Sequence, residues 1–275
     1  MSAFIRRNIS LAQLQGRLNY FYHANRSLLE PSVSSKFIES HCDLATKNFL
    51  SRCLDECVDP SFPQTFCSKF MSKTNTNGIF GTGDCFLASK QQFRNILPTE
   101  TFHSVIDLGA GSGNVTSELI SAIDLKKIAT TEISPAMRRT LKNRGLNPVD
   151  HDKWPEKGPY DLISMFNLLD RLPDPIEYIN AAFSSLNENG VLVIGLVFPV
   201  NQVVELQTRG SSQPNVILPI KQHDYFESQV EQFLNIFDNE KLDLHSWTKL
   251  PYLSIGNSNK PCNILENGLF VFKKV

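Results

Sequence analysis

The run Val105-Ile106-Asp107-Leu108-Gly109-Ala110-Gly111-Ser112-Gly113 constrains this chain more than any other. An apolar strand ends in an aspartate, the aspartate leads into a Gly-x-Gly-x-Gly turn, and a helix follows from near Asn114. Glycine has no Cβ, so three glycines at alternate positions permit positive φ and let main chain pass close to a ligand. The first amides of the following helix lack partners within it and face whatever the loop holds.

The rest of the chain fits an α/β domain around that unit. Strands are expected at 103–108, 127–131, 146–150, 160–166, 190–197, 242–250 and 268–274. Helices are expected at 114–123, 135–144, 175–187 and 224–239. Such alternation predicts a mainly parallel sheet covered on both faces. No helix separates the last two strands, so they should pair antiparallel. Seven strands ending in such a hairpin is the Rossmann-like arrangement of class I methyltransferases. Residues 1–100 read as a mostly helical extension, with helical apolar spacing in 37–54 and again around 62–70. Asn75-Thr76-Asn77-Gly78 and Gly81-Thr82-Gly83 are turn compositions and predict a loop there. A short helix at 86–97 should stop at Pro98. The expected division is a helical, site-capping extension over 1–100 and a Rossmann-like domain over 101–275.

A glycine loop alone does not choose a cofactor, since dinucleotide sites use a similar device. Two details favour S-adenosylmethionine (SAM). The spacing is Gly-x-Gly-x-Gly after a strand-terminal Asp107, and the second strand ends in Glu132, a carboxylate able to accept both ribose hydroxyls. Asp107, Gly109, Gly111, Gly113 and Glu132 are therefore cofactor-binding candidates. A capping carboxylate and a plain tight turn are the bland alternatives. Ser134-Pro135 reads as a helix N-cap followed by proline at the first helical position. In this fold the loop Asp150–Trp154 borders the adenine, so Asp152 is a candidate acceptor for its amino group; a solvated charged loop is the alternative.

The fourth strand, Tyr160–Phe166, runs into Asn167-Leu168-Leu169-Asp170-Arg171. That segment resembles the signature of the DREV family of protein-histidine methyltransferases. Further matching segments are Phe70-Met71-Ser72-Lys73-Thr74 with Asn77-Gly78, the Asp107–Gly113 loop, Ala129-Thr130-Thr131-Glu132, Leu250-Pro251-Tyr252-Leu253 and Phe270-Val271-Phe272-Lys273. They cover the chain from about residue 65 to its end. The resemblance implies methylation of the pros nitrogen (Nδ1) of histidine in His-x-His segments of protein substrates. It places Glu132, Asn167 and Tyr252 on the cofactor, and Asn167 and Asp170 against the target imidazole; Asp170, Asn167 and Tyr252 are the implied catalytic set. A neutral imidazole carries one lone-pair nitrogen and one N–H. A carboxylate accepting from Nε2–H leaves Nδ1 free to attack and stabilises the imidazolium that forms. Asp170 could instead simply pair with Arg171. The chain departs from the family at Cys262 and Asn263, where relatives carry a tyrosine pair, and at Ser112, where they carry Asp.

Net charge is −1, so no bulk field draws the chain to nucleic acid or an anionic membrane. The segment after the fourth strand is also not the Asn/Asp-Pro-Pro-Tyr/Phe motif of base-amine methylation. The six cysteines (42, 53, 57, 67, 85 and 262) form no Cys-x-x-Cys pair and read as thiols in a reducing compartment. His151, His223 and His245 are not spaced as a cluster, and no metal is expected. No apolar run is long enough to span a membrane. Arg6, Arg7, Arg17 and Arg26 precede the first acid, Glu30, which fits either an amphipathic helix or a mitochondrial presequence. The expectation is an intracellular monomer, cytoplasmic first, with mitochondrial or endoplasmic-reticulum association as alternatives. Competing functions are a class I methyltransferase for another acceptor, a small molecule or RNA, and a SAM-binding scaffold without turnover. The long polar stretch from Pro199 to Pro219 and the Lys73–Gly83 loop are either the walls of a peptide groove or passive surface.

Overall fold

The computed structural model describes residues 11–57, 59, 61, 64–65, 72–205, 211–222, 224–237 and 241–275. The basic segment with Arg6 and Arg7, most of the expected 62–70 helix, Cys67, Phe70-Met71 and His223 lie outside the described residues.

Eight strands form the main sheet in the order β1-β9-β10-β6-β5-β2-β3-β4. Their ranges are β1 Cys85–Phe86, β2 Thr101–Leu108, β3 Asp124–Thr131, β4 Pro148–Val149, β5 Tyr160–Phe166, β6 Leu186–Phe198, β9 Leu242–Ile255 and β10 Cys262–Lys274. The short pair β7 (Val204–Glu205) and β8 (Ser211–Ser212) stands apart. Strands β2 to β6 run parallel, and β10 inserts antiparallel between β6 and β9. The eighth strand, β1, adds two residues to the edge of β9. From β2 the chain winds outward through β3 and β4, then returns to lay β5 on the other side of β2. The loops after β2 and β5 therefore diverge, which opens a crevice at the carboxyl ends of these strands.

Side chains alternate between two cores. Ile106, Leu192, Ile194, Phe270 and Phe272 join one cluster, while Val105, Val191, Val193, Leu269 and Val271 join the other. That alternation is the period of a strand buried on both faces. Helices α8 (Pro175–Ser184) and α9 (Phe226–Leu234) cover the first face with Ile179, Ala182, Val230 and Phe233. Helix α6 (Asn114–Ala122) covers the second with Val115 and Leu119, joined by α1 (Leu11–Leu18) and α3 (Leu44–Glu56) through Leu18, Phe49 and Leu50. The extension also guards the open edge of β9. Ile38 N–H donates to Trp247 O at 2.8 Å, and Trp247 Nε1 donates to Val33 O at 2.9 Å.

Three local expectations are corrected. The helix expected at 86–97 is shorter, α5 (Lys90–Ile96), because Phe86 pairs with β9 as part of β1 and Ser89 caps the helix. The stretch expected as a loop is a helix, α4 (Lys73–Phe80). The Ser72 side chain caps it by accepting from Asn75 N–H, and Gly81 ends it at φ 62°, so capping and tertiary contact outweigh weak helix propensity. Strands β9 and β10 extend past the expected ends at 250 and 268, because Pro251 to Ile255 stay in register with Cys262 to Glu266. Among the described residues, no helix is long and apolar enough to cross a membrane.

Candidate active site

The glycine loop leaves β2 at Asp107. This carboxylate is buried and does not face the loop's open side. Ser164 Oγ of β5 donates to its Oδ1 at 2.7 Å, and Thr116 Oγ1 of α6 donates to its Oδ2. Burial pushes its pKa up to about 6 against the pull of those two hydroxyls. Asp107 thus ties β2, β5 and α6 together beneath the loop. Gly109, Gly111 and Gly113 take φ of 71°, 56° and 82°. A Cβ on Gly113 would come within 2.8 Å of Leu141 and 2.9 Å of Leu146, and one on Gly109 within 2.7 Å of Leu168. At Gly111 nothing lies within 4 Å. Two glycines therefore serve close packing, and the third leaves open space where the backbone can meet a ligand.

Glu132 follows β3 and is almost fully buried. Its Oε2 accepts from Gly111 N–H at 3.0 Å and its Oε1 from Ser134 N–H at 2.7 Å. The loop is further locked by Gly109 N–H to Thr131 Oγ1 and Ala110 N–H to Thr131 O. Ser134 Oγ caps α7 (Pro135–Asn143) and donates to Asn75 Oδ1 of α4, so α4 sits against the helix that follows the second acid. Asp152 stands exposed on the loop after β4. In that loop Arg138 makes the structural contacts, reaching Val149 O at 2.8 Å and Asp150 Oδ1 at 3.3 Å.

The end of β5 turns sharply at Asn167, whose φ of 53° is left-handed, a region that asparagine tolerates better than most residues. Its N–H donates to Gly195 O of β6 at 2.8 Å, and its Oδ1 accepts from Asn267 Nδ2 of β10 at 2.6 Å. The single 3-10 turn Leu169–Arg171 then buries Asp170. Asp170 does pair with Arg171, through Nε to Oδ2 at 3.3 Å, but Asp170 Oδ1 and Asn167 Nδ2 are buried with no hydrogen-bond partner. Desolvation raises the Asp170 pKa to about 6, and the Arg171 charge only partly offsets it. The Asp170 carbonyl accepts from Val203 N–H, and the Pro173 carbonyl from Asn215 and Val216 N–H, so the described parts of the 199–219 stretch brace this turn. Residues 206–210 of that stretch lie outside the described residues.

Tyr252 of β9 completes the group. Its phenol shares a hydrogen bond with the Cys85 thiol and feels the charges of Arg171 and Asp170. Burial holds its pKa well above the ordinary value, so it is a neutral donor. Asn167, Asp170 and Tyr252 are thus brought to one place; Asp107, the glycines and Glu132 form an adjoining one; Asp152 remains outside both networks. Cys262 is buried and hydrogen-bonded to Cys53 of α3, while Asn263 donates to Ser254 Oγ at 3.4 Å. Sequence reading missed Ser164, Thr116 and Asn267. Hydroxyls within an apolar strand and at the start of the helix were the available signal for the first two.

Open space at Gly111, the α6 amides, a buried carboxylate just after β3, and two unpartnered polar atoms just after β5 suit an adenosyl cofactor beside an acceptor. Together with the strand order, they define a class I SAM-dependent methyltransferase. A family model described as DREV methyltransferase matches residues 21–274. The chain belongs to the DREV methyltransferase family. It is also 23% identical over 196 residues to a ubiquinone biosynthesis O-methyltransferase of Hydrogenovibrio crunogenus, covering 64% of this chain and 81% of that one. Among solved structures it is similar to the N-methyltransferase NodS of Bradyrhizobium japonicum WM9 in complex with S-adenosylhomocysteine, at 15% identity, over 63% of this chain and 79% of that one, TM-score 0.37. A second, from work on converting a disulfide bond into a thioacetal group in echinomycin biosynthesis, shows 14% identity, 66% and 77% coverage, and TM-score 0.44.

Proposed function

We propose that this methyltransferase acts on histidine side chains in His-x-His segments of proteins and methylates the pros nitrogen. The observation that carries the reading is Asp170 Oδ1, a buried carboxylate oxygen without a partner at the carboxyl end of β5. When bound, SAM supplies an electrophilic methyl group. Glu132 would hold its ribose and the Gly109–Gly113 loop its methionine portion, with Asp152 at the adenine edge and Asn167 and Tyr252 at the sulfonium end. Asp170 accepts Nε2–H of the incoming imidazole, which selects the tautomer whose lone pair is on Nδ1. As Nδ1 becomes positive, the same carboxylate stabilises the imidazolium. Burial strengthens that interaction relative to water. Proton loss from the methylated ring then follows through Nε2 toward Asp170 or solvent.

The test is transfer from labelled SAM to a peptide containing Ala-His-Ala-His, with each histidine replaced by alanine in control peptides. Transfer that Asp170→Ala abolishes while calorimetric SAM affinity is kept supports the reading. No transfer to the histidine peptide by a SAM-binding wild type overturns it. The likeness to a ubiquinone biosynthesis O-methyltransferase favours one second reading, in which Asp170 is the base for a small phenolic hydroxyl. Transfer to a catechol but not to the peptide would select that one.

A further inference from the structure

Asn267 is an amide in a place that otherwise holds hydrocarbon. It lies at the middle of β10, fully buried, with Val197 of β6 opposite on one side and Leu250 of β9 on the other. A buried carboxamide is costly unless its hydrogen bonds are made. Asn267 makes one that bears on the site: Nδ2 donates to Asn167 Oδ1 at 2.6 Å, across 100 residues of sequence, while its own Oδ1 is buried with no hydrogen-bond partner. Gly195 of β6 lies beside this pair: a Cβ there would press on Leu87 at 3.1 Å and would only touch Asn267 Oδ1, at 3.6 Å. The same Gly195 accepts the Asn167 backbone N–H. Asn167 is therefore held twice, its main chain by β6 and its side chain by β10.

That second hold has a chemical consequence. A primary amide offers an oxygen acceptor and an N–H2 donor. With Oδ1 committed to Asn267, the end of Asn167 left over is Nδ2, which is buried and unpartnered, as is Asp170 Oδ1 three residues on. The turn then presents one donor and one acceptor. We propose that Asn267 is a positioning residue that fixes Asn167 as a hydrogen-bond donor, so that Asn167 recognises an acceptor atom while Asp170 recognises an N–H. The acceptor is a carboxylate or carbonyl oxygen, supplied either by the methionine portion of SAM or by the backbone of a peptide substrate. The inference rests on the placement of Asn167 under Proposed function.

The test is a double-mutant cycle on Asn167→Ala and Asn267→Leu, with Asn267→Asp as a third variant of nearly unchanged shape. An aspartate at 267 only accepts, so it would turn the Asn167 amide round. Calorimetric SAM affinity and peptide kcat/KM are read for each, and melting temperature confirms folding. Asn267→Leu should cost about 10- to 100-fold in one of the two readouts, the scale of losing precise placement. In the Asn167→Ala background it should cost less than about 2-fold, because the two residues act as one unit. Loss in SAM affinity places the acceptor on the cofactor; loss in kcat/KM at unchanged SAM affinity places it on the peptide. In nitrogen-labelled protein, the Asn167 side-chain amide resonances, assigned by their loss in Asn167→Ala, should move in both Asn267 variants and shift on adding S-adenosylhomocysteine or peptide. Additive losses with melting temperature falling in parallel, or Asn167 resonances unmoved by Asn267→Leu, would overturn the inference. A wild type inactive on the peptide would sink the histidine reading, and the resonances would still decide this one.

Discussion

Acidification should switch off peptide methylation far more steeply than titration of the substrate alone would allow. The imidazole must be neutral to attack, and Asp170 must be ionised to accept Nε2–H. The Asp170 pKa is pushed up to about 6 by burial, against an ordinary value of 3.8, and a free histidine titrates at about 6.5. Between roughly pH 7.5 and pH 5 the ionised fraction of Asp170 falls from about 0.97 to about 0.09, and the neutral fraction of imidazole from about 0.91 to about 0.03. The product falls about 300-fold, whereas an Asp170 with an ordinary carboxyl would leave a fall of only about 30-fold. The assay is kcat/KM for the Ala-His-Ala-His peptide at saturating SAM, since this parameter reports free enzyme and free substrate. A slope near two in log kcat/KM against pH is expected on the acid limb. Unfolding does not mimic it on account of the buried acids. The folded-state values of Asp107 and Asp170 are raised, so their contribution to stability is full below about 3.8 and lost as pH rises through about 6. Cofactor affinity measured over the same range controls for Asp107. A slope near one, with a fall of about 30-fold, would refute the role given to Asp170.

Four substitutions follow from the loop and its two acids. Gly113→Ala should destabilise the fold by about 2 kcal/mol or more in urea unfolding, because strain at positive φ adds to overlap with Leu141 and Leu146. Gly111→Ala has open space, so its cost should be nearer 1 kcal/mol, with the larger effect in calorimetric SAM affinity. Asp107→Ala strands the Ser164 and Thr116 hydroxyls in the interior and should lose about 2–5 kcal/mol of stability. Glu132→Ala should weaken SAM binding about 10-fold or more, since a charged acceptor of ligand hydroxyls contributes more than a neutral one, and should also cost about 2 kcal/mol or more of stability, because the Gly111 and Ser134 N–H groups lose their acceptor.

The cofactor half of the site was legible because its physics is local. Alternate glycines, a strand-end Asp and a second strand ending in Glu132 can be read from spacing, and all three glycines take positive φ. Asp107 was legible in position and less so in role, because Ser164, 57 residues away, claims one of its oxygens. Asn167 and Asp170 were found through a resemblance; nothing in their own spacing predicts that β6 and β10 meet there. The strand expected from 268 leaves Asn267 outside it, yet sheet pairing carries β10 through Asn267 from Cys262 onward. Helix α4 was hidden for the converse reason, since its Thr, Asn and Gly residues favour turns, and the caps at Ser72 and Gly81 and the contact with Ser134 help to hold it helical. Contacts with distant segments, joined in α4 by local caps, outweighed local propensity in these places.

The most direct test of the account is which ring nitrogen carries the methyl group after turnover. The methylated peptide would be hydrolysed and its histidine compared with authentic pros- and tele-methylhistidine by chromatography and mass spectrometry. With Asp170 accepting from Nε2–H, the methyl is expected on Nδ1. A methyl on Nε2 would mean that the carboxylate does not select the tautomer, and would contradict the assignment of Asp170.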